Sequence, residues 1–196
     1  MRKSILVCLI GAFLIVSTVV PAAGQRTSLG LGNMTIKLDH ISFTDDVLEN
    51  SDVDSGLYVG IEGFGEISPN LYLGVEVGYA NIDGSINVWG IPVDTEVTFI
   101  PVELNFKYVL EAAPRLVIDF GAGVSFNYVE EKASALGVSA DEDDLLFGGQ
   151  FFMDLSYTVN EFFLGVNGKY QITEEFKDWD YDYNNWRIGG QVGLMF

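Results

Sequence analysis

The chain has 196 residues, 28 of them acidic against 10 basic, for a formal net charge of −18. A surface so negative repels phosphate backbones, which disfavours nucleic acid as a partner. The single cysteine, Cys8, excludes an intrachain disulfide.

Residues 1–24 have the build of a cleaved secretory signal. Arg2 and Lys3 form a positive start, Ile5 to Val20 an apolar run, and Ala22-Ala23-Gly24 a small-residue cleavage site. Its removal takes away two bases and the cysteine but no acid, so residues 25–196 would form one domain of net charge −20 without thiol chemistry. No later stretch is apolar for about 18 residues, so no transmembrane helix is expected. Yet the chain is 48% hydrophobic, with a mean hydropathy of +0.25 and 22 glycines. Apolarity without a helical span points to strands that face lipid.

Period-two alternation predicts eight strands, Leu29–Thr44, Leu57–Ile67, Leu71–Asp83, Thr95–Leu110, Arg115–Glu130, Asp144–Val159, Phe162–Glu175 and Asn184–Phe196. Most reach the roughly 9–11 residues that a tilted strand needs to cross a bilayer. The connections alternate in length. Ser68-Pro69-Asn70, Glu111-Ala112-Ala113-Pro114 and Asn160-Glu161 are tight, whereas Asp45–Gly56, Gly84–Asp94, Glu131–Asp143 and Phe176–Tyr183 are long. Short turns at one end and long loops at the other is the pattern of a transmembrane barrel.

The two faces differ. Met34, Ile36 and Leu38, then Leu71 to Tyr79, Ile100 to Leu110 and Leu116 to Tyr128 at alternate positions, make a greasy face expected outside. The other face carries Thr35, Lys37 and Asp39 on the first strand, then Glu62, Glu76, Glu103, Lys107, Asp119, Asp154, Lys169 and Arg187, with Gly60, Gly74, Gly78, Gly121, Gly123, Gly165, Gly189 and Gly193. Small residues suit the crowded interior of a narrow barrel, which places this face in the lumen. An eight-stranded barrel is just wide enough for its own side chains, so these charges are expected to form a packed network, with a narrow conduit as the alternative. Tyrosines and tryptophans near strand ends, among them Tyr58, Tyr72, Tyr79, Tyr108, Tyr157, Tyr183 and Trp186, suit interfacial girdles where they face outward.

The last strand keeps Trp186, Ile188, Val192, Leu194 and Phe196 on one face and ends the chain on an aromatic residue. This resembles the terminal strand of small eight-stranded bacterial outer-membrane β-barrels of the OmpA and OmpX type, porin-like proteins among them. The resemblance implies an all-β fold, a closed antiparallel barrel of eight strands in the outer membrane of a diderm bacterium. It also implies a terminal signal read by the barrel assembly machinery, contact with outer-membrane lipid and lipopolysaccharide, and a monomer. It carries over no catalytic residue.

The long loops hold most of the acids, including Asp45-Asp46, Glu130-Glu131, Asp141 to Asp144 and the run Asp178, Asp180, Asp182. That run begins like a calcium loop, but its sixth position is Tyr183 instead of Gly and its twelfth is Gly189 instead of Glu. A divalent cation is therefore a minor expectation and no cofactor is expected. Acids beside Trp179, Tyr181 and Tyr183 point instead to adhesion to an extracellular protein or glycan. A lipid-modifying enzyme would need a base for a serine; the one histidine, His40, has Ser42 on its own face, but about 7 Å away between Cβ atoms. The expected role is structural or surface interaction, with passage of small solutes second and enzyme activity a remote third.

Overall fold

A strand with one apolar and one polar face is satisfied when the sheet closes on itself, since closure leaves no unpaired edge within the bilayer. The computed structural model describes residues 29–50, 53–88, 91–135, 138–176 and 181–196; the expected signal, residues 1–24, lies outside them. The strands are β1 (Gly32–Phe43), β2 (Ser55–Ser68), β3 (Leu71–Val88), β4 (Ile91–Ala113), β5 (Leu116–Ala135), β6 (Val138–Val159), β7 (Phe162–Thr173) and β8 (Asn185–Met195). They form a closed barrel in chain order, every neighbour antiparallel, with β8 pairing back onto β1. A short helix, α1 (Asp46–Asn50), follows β1 and is capped by Asp45, whose Oδ1 accepts the Val47 N–H at 2.8 Å.

Three two-residue turns close the short end. Pro69-Asn70 and Pro114-Arg115 each put proline first, where its fixed φ fits, and a left-handed residue second, with φ 66° at Asn70 and 69° at Arg115. The second turn thus lies one residue beyond the expected Glu111-Ala112-Ala113-Pro114. At the third, Asn160 takes φ 56°.

Two of the four expected long loops are largely strand. Pairing between β3 and β4 continues to Val88↔Ile91, through the stretch read as the loop Gly84–Asp94. Pairing between β5 and β6 continues to Ala135↔Val138, through Glu131–Asp143. Ile86 and Val88, then Ile91 and Val93, stand two positions apart in the first stretch, while the second holds Ala133, Ala135, Val138 and Ala140 among its charges. β3 to β6 therefore run 18, 23, 20 and 22 residues, against 11 to 14 for β1, β2, β7 and β8. Half of the barrel wall rises beyond the other half as a four-stranded platform.

The outer wall is apolar: Ile36, Leu38, Ile61, Phe106, Phe120, Phe126, Phe151, Leu164 and Ile188 are all exposed. The interior is not uniformly polar. At the short-turn end Leu29, Phe64, Tyr72, Val109, Val117, Phe152 and Phe163 form one buried apolar cluster. At the long-loop end Ile41, Phe43, Tyr58, Val97, Phe99, Val129 and Leu146 form another, covered by Leu48 of α1, Val53, Phe176 and Tyr183. Tyr58, Tyr72 and Tyr183 are fully buried in these clusters and so are not girdle residues; Tyr79, Tyr108, Tyr157 and Trp186 do face outward. Each inner ring needs space that the neighbouring strand must surrender. Phe64 pairs directly with Gly74, Phe152 with Gly121 and Phe163 with Gly193, and in each pair the ring occupies the space a Cβ would take.

Candidate functional site

Between the two apolar clusters lies a charged layer. Glu62 of β2, Glu76 of β3 and Glu103 of β4 face Lys37 of β1, Lys169 of β7 and Arg187 of β8, all essentially inaccessible to solvent. Lys37 Nζ donates to Glu62 Oε2 at 2.7 Å and to Glu76 Oε2 at 3.1 Å. Lys169 Nζ bridges Glu76 Oε2 at 2.6 Å and Glu103 Oε2 at 2.5 Å. Arg187 Nη2 donates to Glu103 Oε1 at 2.5 Å, while Nη1 lies 3.6 Å from Glu76 Oε1. Burying an ion costs several kcal/mol, so such a layer persists only when each charge meets opposite charge and hydrogen bonds. The chain does this by setting acids on three successive strands and bases on the three strands across the lumen.

The layer is locked to its caps. The Arg187 guanidinium lies 4.6 Å from the centre of the Tyr58 ring, and Lys107 Nζ lies 4.1 Å from that of Phe64. The Tyr58 hydroxyl donates to Glu76 Oε1 at 2.7 Å. Lys107 also lies 3.6 Å from Asp119 Oδ2. Asp154 is the exception: it sits opposite Asp119 in register, fully buried, and neither of its oxygens has a hydrogen-bond partner among the described residues. Glu62, Glu76, Glu103, Lys107, Asp119, Asp154, Lys169 and Arg187 are all buried. The aromatic caps were missed, although three cross-strand Phe–Gly pairs on the polar face were their signal.

The platform is acidic, and its register sets like charges face to face: Asp83↔Glu96, Glu130↔Asp143 and Glu131↔Glu142. Lys132 sits between Glu96 and Asp141, and its Nζ reaches Glu96 Oε1 at 3.3 Å. The segment before β8 folds against this sheet. Tyr181 and Tyr183 both donate their hydroxyls to Glu131, Tyr181 at 2.9 Å, and Tyr183 in a very short bond. Burial, then the Glu131 charge, pushes both phenols above their ordinary pKa. Of the three aspartates read as a weak metal site, Asp178 and Asp180 lie outside the described residues. Asp182 accepts the Asn184 N–H at 3.0 Å and its amide at 2.7 Å; burial raises its pKa. Among the described residues no three metal-ligating side chains converge.

His40 and Ser42 lie together on the outer face of β1, where His40 is exposed and flanked in register by Leu57 and Ile188. The terminal strand turns Trp186, Ile188, Val192, Leu194 and Phe196 outward. The Phe196 carbonyl accepts the N–H groups of Leu31 at 2.9 Å and Gly32 at 3.0 Å, tying the last residue to the strand that begins the barrel.

Residues 8–196 match the family described as outer membrane protein beta-barrel domain. The chain belongs to this family. It is an integral protein of the outer membrane of diderm bacteria. Its fold is similar to that of Neisserial surface protein A, at 12% identity and a TM-score of 0.60, covering 84% of this chain and 97% of that one. It is also similar to OprG of Pseudomonas aeruginosa, at 14% identity and a TM-score of 0.57, over 84% and 96% of the two chains. Ail, the attachment invasion locus protein of Yersinia pestis, follows at 12% identity and a TM-score of 0.50, over 83% and 97%. No curated protein matches by sequence.

Proposed function

We propose that this barrel is a closed, non-conducting support whose work is done by the acidic platform it displays outside the cell, in a structural or surface-interaction role. The observation that carries this is the filling of the lumen, where two apolar layers enclose a charged one whose Lys37, Lys169 and Arg187 are each held by buried glutamates. Nothing the size of a solute crosses three such layers without displacing aromatic rings and separating buried ion pairs. The long strands meanwhile direct the accessible chemistry outward. Beyond Ala80, β3 pairs with a strand on one side only, and so does β6 before Gly148. Free edges invite an added strand, and carboxylates along them reject acidic chains. The partner that fits is a basic extracellular protein segment.

Passage of small solutes is the second reading, favoured by one feature. The β3–β4 ladder is interrupted between Val77↔Val102 and Ala80↔Phe99, where Pro101 brings no N–H. The gap is backed from inside by Tyr58, packed on Gly78. Planar-bilayer recording separates the readings. The support role predicts no single-channel steps from the reconstituted protein; stable steps that vanish when Gly123→Leu fills the lumen would establish the conduit instead.

A further inference from the structure

A cavity of about 270 Å³ opens outside the barrel, between α1, the inner side of the platform and the segment before β8. Its base is apolar, made by Leu48, Val53, Val97 and Ala140, and the ring of Tyr181 forms one wall. Its polar groups are of one predominant sign. Glu131 and Glu142 stand opposite each other in the β5–β6 ladder and both line it. Glu131 is held by the two tyrosine hydroxyls, whereas Glu142 makes no hydrogen bond or ion pair with another described residue. Among the described residues, the one cation at the rim, Lys132, is engaged by Glu96 at 3.3 Å and Glu130 at 3.7 Å.

We propose that this cavity binds a small organic amine, a primary ammonium on a short apolar body, with the ammonium at Glu142 and the body over the Val97–Ala140 base beside Tyr181. The volume sits just under the roughly 300–1,000 Å³ of drug-sized pockets, so the occupant is small. The aromatic wall and aliphatic base select an apolar body, and an ammonium relieves the repulsion between the facing carboxylates. A carboxylate or phosphate ligand would add to that repulsion. The site is independent of whether the barrel conducts.

Titration calorimetry on the full chain folded in detergent, with phenethylamine as the probe and 3-phenylpropionate as its charge-reversed counterpart, tests this. Saturable binding of the amine alone is expected, weakened about tenfold or more by Glu142→Gln. Ala140→Leu, which fills the base without touching the charge, is expected to abolish it. Both variants should retain the heat-dependent gel mobility of a folded barrel. Equal binding of the carboxylate, no saturable heat with the amine, or an amine affinity unchanged in both folded variants would overturn the proposal.

Discussion

The ring of Tyr58 lies across Gly78, in the space where any side chain at that position would begin, and its hydroxyl reaches Glu76 on the same strand as the glycine. One contact thus joins the outer apolar cap to the charged layer. Tyr58→Phe keeps the ring and removes the donor to Glu76 Oε1. The expected cost is about 1–3 kcal/mol, that of a buried acceptor left unsatisfied. Gly78→Ala keeps the donor and forces the ring aside, at about 1–3 kcal/mol for overpacking. Urea unfolding in lipid vesicles, followed by tryptophan fluorescence, measures both; a Tyr58→Phe variant as stable as the parent would show that the hydroxyl is idle.

Two buried carboxylates should respond in opposite directions. Glu103 receives Lys169 and Arg187, so Glu103→Gln leaves two buried cations to share Glu76 and is expected to destabilise by about 3–5 kcal/mol. Asp154 has no hydrogen-bond partner, so Asp154→Asn removes a buried carboxylate that no hydrogen bond satisfies and is expected to be neutral or stabilising. The same urea series orders the variants. A loss in Asp154→Asn comparable to that in Glu103→Gln would mean that Asp154 is held by its neighbours' fields.

The two phenols on Glu131 give a pH dependence. Their folded pKa values lie above the unfolded tyrosine value of about 10, because burial and the Glu131 charge both disfavour the phenolate. The contribution is fully present below about pH 10 and is lost as pH rises toward the folded values. Ultraviolet titration should show Tyr181 and Tyr183 resisting ionisation while exposed tyrosines titrate. In Glu131→Gln their absorbance change should move to lower pH; an unchanged titration would place the cause in burial alone.

On the platform the sign of the pH effect comes from facing like charges. Glu130↔Asp143 and Glu131↔Glu142 repel across the ladder, and neutralising one partner relieves this. Asp143→Asn should raise amide-exchange protection in residues 129–145 at neutral pH, and the gain should shrink in high salt. Protection that falls in Asp143→Asn would show that the carboxylate is engaged favourably.

The closed barrel was legible because alternation, turn chemistry and the terminal aromatic agree with one another. The inner residues from Glu62 to Arg187 were legible for the same reason: a one-residue register error would have put every one of them in lipid. The caps were less so. Tyr58, Phe64 and Phe152 occupy inward positions, but a single sequence does not show which glycine faces which ring until strands are paired in register. The platform was misread for another reason. Acids at Asp83, Asp94, Glu131 and Asp143 look like solvated loop, and backbone pairing that continues through them is decided by neighbours across the ladder.

The charged layer draws its acids from β2, β3 and β4 and its bases from β1, β7 and β8. During folding, Lys37 is available to Glu62 and Glu76 from the first strand, whereas the partners of Glu103, Lys169 and Arg187, come only with the last two. Arg187 and Phe196 both reach β1 territory only when the final strand is in hand. A barrel missing its end would leave Glu103 without a cation in a low-dielectric interior and Glu76 with Lys37 alone. The ion-pair layer is therefore complete only when β7 and β8 have joined β1 to close the ring.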